Sequence, residues 1–227
     1  MPAPTPSQRR ADIDWIRVGA FGLLILYHVG LVYAPWDWHV HSPYSFEPLR
    51  YAALVTNPWR LTLLFLVSGA ALRFMSRRLN PWAVVKARMA RLVPPFLFGV
   101  LVLVPPQAWI EAMDKGSFHQ GLLAWCMAQF SPAGFAAGIP INHLWFVLYI
   151  GVYSLVMVGV MAIPGAVRAG EFAVRWILSG WRLLILPMIY LTVVRQQLFA
   201  TLGLSNHLTT DWSNHAMSLA VFAFGFF

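Results

Sequence analysis

Hydrophobic residues fall in long runs separated by polar connections, and most of the runs are long enough to read as membrane-spanning helices. The first occupies roughly 13–33 and can cross a hydrocarbon core of about 30 Å. A second, about 58–75, opens at Pro58 and carries Arg60 near its start. The third, roughly 90–110, has Pro94 and Pro95 early and Pro105 and Pro106 late, which predicts a kinked helix. A fourth spans about 141–162, and a fifth, near 176–194, is interrupted by Arg182 and Pro187. A sixth run starts near Asn214 and is cut at Phe227.

The connections differ in character. Residues 1–10 contain Pro and Ser without apolar periodicity and predict a disordered cytoplasmic tail, which leaves 11–227 as a single transmembrane domain. Residues 34–56 read as an aromatic-rich loop suited to an interface. Within 111–140, the piece FHQGLLAWCMAQF is too short to span and predicts a re-entrant or interfacial segment. Residues 163–175 and 195–212 read as polar links. The expectation is an all-α, polytopic integral membrane protein with about six transmembrane helices. The apolar ending has no polar flank, which predicts the N-terminal part of a longer protein. The first run keeps Asp14, Arg17 and His28 and ends without a small-x-small site, so it reads as a retained helix and not a cleaved signal.

Composition agrees. Of 227 residues 59% are hydrophobic and 11% charged, with a mean hydropathy of +0.64, whereas a soluble domain is nearer a quarter charged. A net charge of +8 would suit nucleic acid if it were spread over a soluble surface. Instead Arg73, Arg77, Arg78, Lys86, Arg88 and Arg91 crowd between two apolar runs. Alternate connections carry ten Lys and Arg against three, which places the N-terminus, this basic loop and the 163–175 link in the cytoplasm. Nucleic acid is not the expected partner; the lipid bilayer is. Cys126 is the single cysteine and cannot form an internal disulfide.

Candidate chemistry starts in the first run. Arg17 and His28 are eleven residues apart, about 20° beyond three full turns, and Asp14 lies one turn before Arg17. The three share a face, with His28 about 16 Å deeper than Arg17 and near the middle of the membrane. A neutral imidazole there can take a proton from a hydroxyl and return it to a leaving group. The same stripe fits an interfacial pair with a buried polar residue joining helices, and both readings stand. Arg88 and Arg91, three apart on a helix with Lys86 nearby, form a candidate phosphate clasp. His143 and Trp145 open the fourth run, where Asn142 suits an N-cap and the aromatics suit an interface belt or sugar stacking. Ser68 and Gly69 favour close helix packing. His39 and His41, with Asp37 as a possible third ligand, make no credible metal site, and no metal is expected.

These segments also carry a resemblance. ADIDWIRVGAFGLLILYHVG resembles the opening of the membrane acyltransferase-3 family, with its arginine, ten intervening residues and histidine matched by Arg17 and His28. LFLVSGAAL, KARMARLVPPF and NHLWFVLYIGVYSL resemble three further family segments in the same order, and the nearest flavour is the periplasmic glucan-modifying branch (glucans biosynthesis protein C-like). The resemblance implies a fold of about ten helices, of which about four are missing here. It implies transfer of an acetyl or succinyl group from cytoplasmic acyl-CoA to a carbohydrate acceptor outside a bacterial inner membrane. By the same resemblance His28 is the catalytic histidine and Arg17 its partner, and Arg88 and Arg91 engage the phosphate of the donor; no family motif assigns chemistry to Asp14, which is a candidate only for orienting Arg17. The expected function is therefore an O-acyltransferase acting on a cell-envelope glycan such as a glucan. A transporter or exporter whose pathway is lined by the stripe, or an inactive truncated fragment, are the rivals.

Overall fold

The computed structural model describes the backbone of residues 11–227 except 37, 38, 41, 139 and 204–207, and the side chains of the same residues except 11–13 and 137. The expected tail at 1–10, Asp37 and His41 lie outside the described residues. The described chain is all-α. Its helices are α1 (Ala11–Tyr33), α2 (Pro48–Ser76), α3 (Pro81–Asp114), α4 (Leu122–Gln129), α5 (Pro132–Ala137), α6 (Asn142–Met161), α7 (Ala166–Ile177), α8 (Arg182–Leu202) and α9 (Trp212–Phe226). Among the described residues five of these, α1, α2, α3, α6 and α8, are long and apolar enough to cross a membrane. The sixth expected run forms α9, 15 residues long in this sequence.

Large apolar side chains point outward along these helices, including Trp15 and Leu26 on α1, Leu101 on α3, and Leu184 and Met188 on α8. A water-facing surface does not carry such continuous apolar area. Bilayer hydrocarbon is the solvent that suits it.

Helix boundaries depart from the sequence expectation at the prolines. α2 does not begin at Pro58 but ten residues earlier, at Pro48, and absorbs part of the expected 34–56 loop. Pro48 sits at the helix start, where its missing N–H would be unbonded anyway. Pro58 removes only one internal bond, and the helix runs through it. In α3 the two Pro-Pro pairs flank a π-helical stretch, Gly99–Leu103, whose wider turn re-routes backbone bonding where prolines lack donors. Gly99 lets the Leu144 side chain lie close: a Cβ would stand 2.7 Å from one of its methyls, which would have to shift. Asn80 caps α3, its side chain accepting from the Ala83 N–H at 2.8 Å. The polar links shrink as well. Residues 166–177 are helical in α7, and α8 continues through a second π-helical stretch, Arg195–Phe199, to Leu202.

The chain divides into two compact units, Met1–Val67 and Ser68–Phe227. In the first, Leu31, Ala34 and Ala53 form a small core with Tyr27, Trp36 and Leu49 packed on it. The segment after α1 folds back on its end, Ser42 N–H donating to Val32 O (2.9 Å) and Phe46 N–H to Tyr33 O (2.8 Å). Two carbonyls left open by the helix end are thereby met. In the second unit α3 packs most extensively on α6. Gly69 lies so close to α9 that a Cβ would collide with the Phe222 carbonyl, so the Ser-Gly pair does serve close packing. Arg73 pairs with Glu171 of α7, so the end of α2 and the 163–175 link meet at one end of this unit.

Candidate functional site

On α1 the expected stripe is present. Asp14, Arg17 and His28 are each half-buried, on the face that also buries Ala20 and Leu31, while Trp15, Val18 and Val29 are exposed. The helix is continuous between Arg17 and His28, which therefore stand about 16 Å apart along it. The structure does not bring them together. His28 lies five residues before the end of α1 at Tyr33, so it sits toward the distal end of the span and not at its midpoint.

The His28 ring has a defined orientation. Its Nδ1 lies 2.7 Å from the Leu24 carbonyl one turn earlier. A carbonyl only accepts, so Nδ1 carries the proton and Nε2 holds the basic lone pair of the neutral ring. That is the tautomer a general base needs.

What surrounds His28 was not singled out from sequence. Tyr27 meets His28 edge-to-face, with ring centroids 5.6 Å apart. Arg60 of α2 lies over the Tyr27 ring, its guanidinium carbon 3.1 Å from the centroid. The Tyr27 hydroxyl donates to Asn57 Oδ1 at 3.3 Å, one turn before Arg60 on α2. Arg60 is 6% exposed, yet its Nε and Nη1 find no acceptor among the described residues. Burying a charge costs several kcal/mol, and a desolvated cation–π contact returns about 2. The balance is unfavourable without a further partner.

The basic segment in the second unit is arranged differently from the expected clasp. Arg88 is buried, and Arg91 and Lys86 are exposed. Arg88 donates from Nε to Ser154 Oγ at 3.2 Å and from Nη2 to the Ser68 carbonyl at 3.1 Å, tying α3 to α6 and α2. Lys86 extends over Trp82, with Nζ 5.3 Å from the ring centroid. Three residues on a helix turn the side chain by about 60° from its starting direction, enough here to put one guanidinium inside and the next outside.

At the start of α6, His143 is exposed and Trp145 packs on Tyr149 with centroids 5.1 Å apart. Asn142 does not serve as an N-cap: it takes φ 40°, the left-handed region, inside the short 3-10 turn Asn142–Leu144. Beyond it lies a buried polar network absent from the sequence reading. Tyr149 donates to Asp211 Oδ2 at 2.8 Å, and Asn214 donates to the same oxygen at 3.1 Å. His215 stacks on Tyr149 at 4.4 Å, its Nδ1 lies 2.8 Å from the Tyr153 hydroxyl, and its Nε2 lies 2.7 Å from the Leu208 carbonyl. Because Leu208 only accepts, Nε2 carries the ring proton and Tyr153 donates to Nδ1. The network is bonded through, as buried polar groups generally are.

A shallow groove of about 160 Å³ between α3 and α6, lined by residues such as Met89, Phe96, Leu148 and Val152, contains no titratable side chain. It offers apolar contact and no chemistry. Among the described residues no group of three His, Cys, Asp or Glu side chains is placed to hold a metal.

Two comparisons leave the chain without a neighbour: no curated protein and no solved structure matches it. The third gives a match that covers nearly the whole chain. The family model for the acyltransferase-3 acyltransferase domain matches residues 10–227, and the chain belongs to that family of acyltransferases.

Proposed function

We propose that the protein is a bacterial inner-membrane O-acyltransferase that moves an acetyl or succinyl group from cytoplasmic acyl-CoA to a glycan of the cell envelope. The observation that carries this reading is the orientation of His28, with Nδ1–H held by Leu24 O, which makes Nε2 the basic nitrogen of the neutral ring. In the reaction, Nε2 takes the proton of an acceptor hydroxyl as its oxygen bonds to the thioester carbonyl carbon. The C–S bond then breaks, and the departing thiolate takes the proton from the imidazolium. An ester and free CoA result, so atoms and charge balance.

The remaining residues have separable parts. Exposed Arg91 and Lys86 engage the donor's phosphates at the cytoplasmic side, and Arg88 holds the helix that presents them. Arg17, three turns before His28, gives the stripe a positive entrance, with Asp14 orienting it. His143 and Trp145 lie at the opposite end of the span order and suit contact with a sugar acceptor. A glucan is the acceptor we favour, because the segments quoted above most resemble the glucan-modifying branch. The N-terminus is cytoplasmic in this scheme, and the complete fold has about ten helices.

The test supplies radiolabelled acetyl-CoA and succinyl-CoA, separately, to membranes carrying the full-length protein. Alkali-labile label in envelope carbohydrate, with one CoA released per ester, is the expected result. A protein that moves a glycan across the membrane unaltered, with no thioester consumed, would instead be the transporter. Replacing Arg91 and Lys86 together by Ala should raise the donor KM about tenfold or more while leaving kcat near its original value. An unchanged KM removes the phosphate assignment.

A further inference from the structure

Arg60 is the buried group that the scheme above leaves unused. It occupies the middle of α2, a helix that contains no Asp or Glu. Its side chain is almost fully enclosed, and two of its three nitrogens lack an acceptor among the described residues. Its position is nevertheless well defined. The guanidinium rests on Tyr27, and Tyr27 is itself fixed by its hydrogen bond to Asn57 and its edge contact with His28. A cation enclosed this way, resting on the ring that contacts His28 and short of acceptors among the described residues, suits an oxygen that is negative when it arrives or becomes so.

We infer that Arg60 is a further catalytic residue, donating from its buried guanidinium to the carbonyl oxygen of the acyl group as that oxygen gains negative charge during transfer. The inference rests on the reading of His28 as the base. As the acceptor oxygen bonds to the carbonyl carbon, the carbonyl π pair moves onto its oxygen. The unmet donors of Arg60 receive that charge. The pair returns as the C–S bond breaks, and the thiolate leaves with the proton that His28 took.

Two other anions of the donor fit the site less well. CoA phosphates carry several charges and strong hydration, which a single enclosed guanidinium cannot replace. The free carboxylate of a succinyl group would be held equally before and during reaction, so it would tighten binding without speeding the step. A charge that exists only in the transition state gains most from a donor already in place.

The experiment measures kcat and donor KM for Arg60→Gln and Arg60→Lys in membranes, with acetyl-CoA and succinyl-CoA as separate donors and His28→Ala as reference. Protein abundance is followed by a fluorescent C-terminal fusion. The expected result for Arg60→Gln is a kcat lowered about 100-fold or more for both donors, with KM changed less than about twofold. Arg60→Lys should recover part of the loss because it keeps the charge. If Arg60→Gln does not accumulate, Arg60→Lys decides, and it too should lose kcat and not KM. A kcat within twofold of the original in either accumulating variant overturns the inference. So does a defect confined to the KM for succinyl-CoA, which would assign Arg60 to the distal carboxylate. If the unaltered protein consumes no acyl-CoA, or His28→Ala remains fully active, the reading of His28 fails first; if only the Arg60 variants behave normally, the inference fails alone.

Discussion

Arg60 and Arg88 are equally buried, at 6% exposure, on neighbouring helices of the same chain, and they are used in opposite ways. Arg88 gives its donors to Ser154 and to the Ser68 carbonyl. Arg60 lies on an aromatic face with Nε and Nη1 unmet among the described residues. A buried cation hydrogen-bonded to protein acceptors, as Arg88 is through Nε and Nη2, is part of the packing, and its removal opens a gap. A buried cation with unmet donors is a standing cost that a further partner must offset. Burial alone therefore does not mark a functional arginine. The state of its donors does.

The same contrast separates the two polar clusters. The Asp211, Tyr149, Tyr153 and His215 network is bonded from member to member, with aromatic stacking added. It has the character of a structural lock between α6 and α9. In the Tyr27, His28 and Arg60 cluster the rings are positioned while Arg60 Nε and Nη1 have no acceptor among the described residues, which suits a site that must accept a reacting molecule.

The largest way to sharpen the comparison is to replace each arginine by Met, of similar length and without charge. Arg60→Met should stop acyl transfer, a loss of 100-fold or more, on the order of 3 kcal/mol in the barrier, while thermal stability in detergent stays equal or rises. Arg88→Met should lower stability by about 1–3 kcal/mol, because the acceptors it served are left without a partner. Melting curves followed by size-exclusion chromatography read both. A fall of the same size in the two variants would erase the distinction drawn between them.

A packing change of similar scale tests the second unit without touching either arginine. Gly69→Ala places a methyl against the Phe222 carbonyl and should cost about 1–3 kcal/mol, lowering the melting temperature. Unchanged stability would mean that α2 and α9 do not approach as described. The smallest effect belongs to Tyr27→Phe, which keeps the ring beneath Arg60 and loses one long hydrogen bond to Asn57. A stability change of about 1 kcal/mol or less is expected, with kcat lowered less than in any Arg60 variant. A loss as deep as that of Arg60→Gln would move the chemistry onto the Tyr27 hydroxyl.

Much of the fold was legible because bilayer spans are written as long apolar runs that need no tertiary context. The stripe on α1 was legible too, since three turns of an unbroken helix follow from spacing alone. Boundaries at Pro48 and Pro58 were not, because a proline inside a spanning helix costs one hydrogen bond that packing can offset. Helical spacing also could not say that Arg88 points inward and Arg91 outward; that depends on which side α6 occupies. Arg60 reads in sequence as one more charge near a helix start. Its enclosure and its unmet donors exist only once Tyr27, 33 positions earlier, is folded beneath it. The Tyr149–Asp211 bond joins residues 62 apart with no local pattern to announce it.

The account turns on His28 as the base of an acyl transfer. Its most direct test is ester formation from radiolabelled acetyl-CoA and succinyl-CoA in membranes holding equal amounts of the unaltered protein and of His28→Gln. The account predicts label in envelope carbohydrate and matching CoA release for the unaltered protein, with both falling to the level of empty membranes in the variant. Transfer by His28→Gln at the rate of the unaltered protein would contradict it.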